Sequence, residues 1–196
     1  MSYCIIHNDK IIAGPQERPS NYNGIKNFNF LSDEELKFYG WYPVIEINSE
    51  YDPRYQIRSK PQLTFDNEKV TATYTITEIP IEEIRNKKLK ELAQKRWEIE
   101  TSGIELGDSV ILTDRESQAQ INGAYSAAKN GVSTELDFKA TTGWIKLTAQ
   151  EMIYIGEAVY NHVQNCFKKE KLHYDNITKN LQTALEIVDY NIEEGW

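Results

Sequence analysis

The chain has 196 residues, 40% of them hydrophobic and 27% charged, with a formal net charge of −8. That length and apolar content supply one large or two small hydrophobic cores. The acid excess excludes a sequence-independent grip on DNA or RNA, which needs a basic footprint to displace phosphate counterions, and it is spread evenly: 11 acids against 8 bases in residues 1–80, 19 against 14 in residues 81–196.

The opening MSYCIIHNDKIIAG holds only two separated isoleucine pairs, too short and interrupted for a secretory h-region or a membrane span, so an intracellular start is expected. Residues 2–6 and 10–13 flank His7, Asn8 and Asp9 and read as a β-hairpin ended by Gly14 and Pro15. Residues 16–29, rich in Pro, Asn, Gly and Ser, read as a loop. Ser32 and Glu35 form a capping-box pattern for a short helix that Gly40 stops, and residues 41–47 look extended. A loop around Tyr51, Asp52 and Pro53 follows. Residues 62–65 and 70–79 then make a hairpin across Asp66 and Asn67, because Val70, Ala72, Tyr74 and Ile76 alternate with threonines. Pro80 marks a strand-to-helix transition.

Residues 81–100 are strong helix formers with Glu83–Lys87 and Glu91–Lys95 in the favourable acid-first order. Lys88 and Glu91 interrupt any heptad seam, which favours a linker helix lying on its neighbour over a self-associating coiled coil. Gly103 and Gly107 frame a further hairpin, with residues 109–112 extended. Thr113 and Glu116 suggest a capping box for a helix running to Ala128, and residues 134–139 and 144–147 pair as strands across a turn at 140–143. The longest helix starts at Thr148, boxed with Glu151 and stapled by Leu147. Its apolar stripe is Met152, Ile155, Val159, Val163 and Cys166, widened by Tyr160 and Phe167. A break near residues 173–175 then leads to a last helix with Ile177, Leu181, Leu185, Val188 and Ile192 on one face. The expected architecture is α+β: a small β-rich module over 1–79, a connecting helix over 80–102, and a mixed domain over 103–196 with a short sheet and long helices.

Catalytic and metal chemistry find little to build on. His162 and Cys166 share a helix face, but eleven residues of helix at about 1.5 Å rise would carry His173 about 16 Å away, so no third ligand joins them. No GxSxG elbow, P-loop, CxxC or HExxH pattern is present, and neighbouring acids such as Glu34 and Glu35 point apart on a helix. We expect no catalytic residue, no metal and no cofactor. Cys4 and Cys166 are too few for a disulfide framework and are expected to be reduced and buried. The 12 tyrosines and 4 tryptophans suit core packing, protein interfaces or sugar stacking. Tyr22, Phe28, Trp41, Tyr42, Tyr51 and Tyr55 fall in or beside expected loops and make the candidate partner interface.

Several scattered positions carry a resemblance. Leu89, Arg96, the segment 103–107, Asp114 with Ser117 and Gln118, Asn122-Gly123-Ala124, Phe138-Lys139, Gly143-Trp144, His162-Val163-Gln164 and Cys166-Phe167 together resemble a domain of unknown function found in bacteriophage tail-fibre and tail-fibre-associated proteins, over roughly residues 84–196. The stretch LSDEELKFYGWYPVIE, with YDPRYQ, is similar to short attachment modules of phage tail and fibre-assembly proteins. The resemblance implies a non-enzymatic structural or adaptor protein of the virion tail, made in the host cytoplasm. Its partners would be tail or fibre proteins and further copies of itself, with no nucleic acid and no membrane; a tail-fibre assembly chaperone and a carbohydrate-binding receptor module are the alternatives. It also implies structural anchors: Trp144 in the core, Ser117 and Gln118 in the first turns of a helix and Gly143 in a turn; the capping pattern adds Thr148 as a further anchor.

Overall fold

The computed structural model describes residues 1–48, 50–106, 109–141 and 143–196; Gly107 and the middle of the turn expected at 140–143 lie outside the described residues. The fold is α+β, and the chain divides into two compact units, Met1–Ile79 and Pro80–Trp196.

In the first unit β1 (Tyr3–His7) and β2 (Lys10–Gln16) form a hairpin whose turn residues Asn8 and Asp9 sit at φ 49° and 57°. Asx residues tolerate that left-handed pair, and its twist matches the flanking strands. Residues 16–29 are more ordered than expected. Asn23 and Gly24 close a second small hairpin of β3 (Asn21–Tyr22) and β4 (Ile25–Lys26), followed by a 3-10 turn at Phe28–Phe30. Helix α1 (Asp33–Phe38) carries the expected capping box of Ser32 and Glu35. Gly40 follows at φ 78°, where an added Cβ would lie 2.7 Å from the Ile6 carbonyl oxygen, so the close approach of β5 (Trp41–Ile47) to β1 requires glycine.

The expected 70–79 strand divides. Residues Gln62–Phe65 (β7) and Val70–Thr73 (β8) are antiparallel, whereas Ile76–Glu78 (β9) leaves to pair with Gln56–Arg58 (β6). The main sheet runs β2-β1-β5-β8-β7, with β5 and β8 parallel and the other pairs antiparallel. Both faces are covered. Cys4, Ile6, Val44, Val70 and Ala72 form one cluster, and Tyr3, Phe28, Leu36 and Trp41 another, because alternate residues of β1 and β5 point to opposite sides.

The second unit opens with α2 (Ile81–Thr101), which is part of this unit's packing rather than a bare connector. Ile84 and Leu92 are buried, and its cations reach the C-terminal segments. Arg85 donates to the carbonyls of Ile177 (3.2 Å) and Leu181 (3.3 Å), and Lys88 to those of Val188 (3.1 Å) and Tyr190 (3.2 Å). Helix-terminal carbonyls lack intrahelical partners, so a helix with a thin apolar stripe can pack through long basic side chains instead. Lys95 pairs with Glu193, and Glu91 with Lys88.

Strands β10 (Ile104–Leu106) and β11 (Ser109–Ile111) form a hairpin, α3 spans Arg115–Lys129, and β12 (Glu135–Ala140) pairs in full register with β13 (Gly143–Thr148). Helix α4 (Ala149–Asp175) packs against both α2 and α3 and buries Met152, Ile155 and Val159 with Ile111, Ile121 and Leu147. It does not break at 173–175. Lys171 and Lys179 both pair with Asp175 at i,i+4 spacing, and the helix runs on through a π turn at Asn176–Asn180 before Leu181 turns extended. The last helix is therefore only α5 (Ala184–Asp189), capped by Thr183 and Glu186.

Candidate functional site

The densest polar arrangement lies where α2, α3 and α4 meet. Glu100, in the last turn of α2, is fully buried. Its carboxylate accepts from Arg96 one turn earlier and from Gln118 Nε2 at 3.2 Å, and it forms an ion pair with Arg115 Nη2 at 3.1 Å. Arg96 also bonds Glu170 on α4 (Nε to Oε2, 3.2 Å). The Glu100 carbonyl accepts from the buried Thr113 hydroxyl at 2.6 Å, which itself accepts from Gly103 N–H at 2.9 Å. Thr113 is thus a buried tie. The N-cap of α3 is its neighbour Asp114, which accepts from the N–H groups of Glu116 and Ser117, each at 3.0 Å.

His162 Nε2 lies 3.1 Å from the Ile99 carbonyl and 3.3 Å from that of Glu100; facing two acceptors, this nitrogen carries the hydrogen. Cys166 Sγ is 3.9 Å from it. Burial, and then the Glu100 charge, push the Cys166 thiol up, so it stays protonated and unreactive at neutral pH. His173 is elsewhere: Nδ1 is 2.8 Å from the Tyr190 hydroxyl, Nε2 is 3.0 Å from the Glu194 carbonyl, and the ring stacks on Trp196. Among the described residues no three His, Cys, Asp or Glu side chains gather as a metal would require.

The network satisfies its buried charges from within, and this makes it a tie between three helices. Nothing in the local sequence marks Glu100 except Arg96 four residues before it; its remaining partners come from positions 13 to 62 residues away. Beside it a groove of about 560 Å³ runs between α3 and α4, lined by Arg115, Gln118, Asn122, Tyr125, Tyr160 and Val163 among others. At its floor Gly156 lets the helices approach closely under the Tyr125 ring.

A family model described as a domain of unknown function, DUF4376, matches residues 83–192, more than half of the chain. The chain belongs to this family. No curated protein and no solved structure matches it. The DUF4376 region takes in the Glu100 network and the groove, and reaches from the first turn of α2 to just past α5; the whole of the first unit, with its aromatics, lies outside it.

Within the DUF4376 domain the expected anchors divide. Thr148 accepts from Glu151 N–H at 3.3 Å while Glu151 accepts from Thr148 N–H at 2.7 Å. Ser117 donates to Asp114 at 2.6 Å, and Gln118 holds Glu100 and the Thr113 carbonyl. Trp144 is not in the core: it is 73% exposed, with Lys139 Nζ 5.9 Å from its ring. The alternation of β13 turns Ile145 and Leu147 inward, so Trp144 must face out.

The candidate partner interface in the first unit also divides. Phe28 and Trp41 are buried, at 0% and 1% exposure, and cannot meet a partner. Tyr22 is half-buried with its ring 4.9 Å from Phe28 and 5.1 Å from Trp41, and half-buried Tyr42 stands edge-on to Phe65 at 4.7 Å. Tyr55 is half-buried, its carbonyl accepting from Ile79 N–H. Tyr51 is exposed, and Arg58 lies between its ring and that of Tyr74, at 4.8 and 4.6 Å. The reason is that the 16–31 segment and α1 fold back over the sheet. Phe30, Phe38 and Tyr39 are exposed there instead. Among the described residues no helix is long and apolar enough to cross a membrane.

Proposed function

We propose that this chain is a non-enzymatic structural or adaptor protein of a bacteriophage tail or tail fibre, acting through protein–protein contacts in the virion. The observation that carries the reading is DUF4376 membership over residues 83–192, taken with the resemblance of those residues to tail-fibre-associated proteins. The site chemistry agrees with it. The buried charges of the second unit are paired with one another around Glu100, and the buried thiol of Cys166 is held in its unreactive form. Exposed aromatic side chains on both units, among them Phe30, Phe38, Tyr51, Trp144 and Tyr160, supply the contact chemistry that such a role needs.

The test is quantitative mass spectrometry of purified particles from a culture expressing the gene, with this polypeptide measured against an abundant tail protein. A fixed small-integer ratio supports a virion component. Absence from particles, despite strong expression, overturns that placement, and co-purification with a fibre protein would then assign the chain to fibre assembly.

A further inference from the structure

Helix α4 has a face that the fold leaves uncovered. The apolar stripe was expected to include Tyr160 and Phe167, but both are exposed, as are Tyr154 and Tyr174. Tyr154 and Tyr160 keep 63% and 64% of their surface open. Tyr160, Phe167 and Tyr174, at seven-residue spacing, edge this face on one side, with Arg96 of α2 over the Phe167 ring at 4.8 Å, and Tyr154 edges it on the other; exposed rings so placed suit another helix. Between them run Glu157, Gln164 and Lys171 at seven-residue spacing, the repeat of a helix–helix seam. We infer that this face binds the same face of a second copy, with the two α4 helices antiparallel about a two-fold axis at Gln164.

The choice of a second copy rests on self-complementarity. Glu157 lies seven residues before Gln164 and Lys171 seven after. At about 1.5 Å per residue, an antiparallel partner therefore sets each Glu157 level with Lys171 of the other copy. Gln164 meets itself, as an amide with both donor and acceptor can. Tyr160 is four residues before the axis and Phe167 three after, on the same flank. Tyr160 of one copy thus falls within about 1.5 Å of the level of Phe167 of the other, at the edge of the α3–α4 groove that Tyr160 lines. On the opposite flank Asn161 falls within about 1.5 Å of the level of Lys168, and Tyr154 within about 1.5 Å of that of Asp175.

A parallel pairing would instead stack Glu157 on Glu157 and Lys171 on Lys171. Like charges in register disfavour it, which decides the direction. The present partners of these charges do not block the antiparallel pairing. Lys129 meets Glu157 at 3.9 Å and Lys171 meets Asp175 at 2.6 Å, and Glu157, Lys129 and Lys171 remain largely exposed in those pairs. The inference goes beyond the proposed virion role and stands on α4 alone. It is read on purified protein, so its failure leaves the particle experiment untouched.

The experiment is sedimentation equilibrium of the full chain over about 1–100 μM, a range that detects dissociation constants typical of modest interfaces. The expected result is a monomer–dimer equilibrium. Glu157→Lys or Lys171→Glu alone should weaken it about tenfold or more, because each places two like-charged pairs across the interface. The double swap should restore it. Gln164→Cys, on the axis, should give a disulfide-linked dimer under mild oxidation, since the native Cys4 and Cys166 are buried. Far-UV circular dichroism confirms that each variant is folded. A chain that stays monomeric throughout, a trimer, a dimer indifferent to the single reversals, or a double swap that fails to restore association would overturn the inference.

Discussion

Trp41 and Trp144 carry the same indole into opposite surroundings. Trp41 sits among Tyr22, Phe28 and Leu36 with almost no exposed surface. Trp41→Ala should therefore destabilise the protein by about 3–5 kcal/mol, the range for emptying a large aromatic site. Trp144→Ser, at a position open to solvent, should change stability by no more than about 0.5 kcal/mol. Chemical denaturation followed by circular dichroism separates the two, and equal losses would contradict the assignment of core and surface. Glu100 supplies a third residue-scale case. Glu100→Ala leaves Arg96 and Gln118 facing an emptied buried site and should cost about 3 kcal/mol or more. Glu100→Gln keeps the volume and one acceptor and should cost less; an equal loss for both would mean that the negative charge alone carries the tie.

At the scale of elements, the helices are held at their starts by carboxylates. Glu35 and Glu151 are drawn below the usual carboxylate range first by the backbone N–H groups of their cap residues Ser32 and Thr148, and Glu186 first by the N–H of Gln182, the residue before its cap. Asp114 is lowered first by the Ser117 hydroxyl, and Asp175 by Lys171. A lowered folded-state value means that the stabilisation is complete above the ordinary value near 4 and is lost as pH falls through the lowered one. The thermal midpoint should thus be insensitive to these groups from pH 7 to 5 and should fall below about pH 4. Glu151→Gln should flatten part of that fall, and an unchanged acid slope would remove the cap from the account. The α3–α4 contact is a second element-scale feature. A Cβ at Gly156 would lie 2.5 Å from the Tyr125 ring and 2.9 Å from Tyr125 Cβ. The ring could rotate, but the Cβ cannot move without its helix. Gly156→Ala should therefore cost about 1–3 kcal/mol of overpacking, against about 1 kcal/mol gained in helix propensity. A more stable variant would show that the helices can part freely.

On the scale of the molecule, the division into Met1–Ile79 and Pro80–Trp196 gives each unit its own buried clusters. A polypeptide of residues 80–196 should keep its helical circular dichroism and unfold cooperatively, since the Glu100 network, the groove and the ties from Arg85 and Lys88 all lie inside it. A molten, non-cooperative fragment would show that the second unit depends on the first. Much of this architecture is legible in the chain because its causes are local. Asn8-Asp9 sets a hairpin turn, Ser32, Thr148 and Thr183 cap helices with an acid three residues on, and alternation in residues 70–73 and 144–147 sets which side chains share a face. Each of those interactions closes within about four residues. What the sequence alone could not assign is which face meets what. The parallel β5–β8 pair, the burial of Phe28 and Trp41 under the folded-back 16–31 segment, and the exposure of Tyr160 and Phe167 were decided by tertiary structure. So was Glu100, whose donors arrive from α3 and its own helix only after α2, α3 and α4 have packed. Periodicity makes a stripe apolar on one side, but burial is a property of two segments at once, and its second member can lie anywhere in the chain.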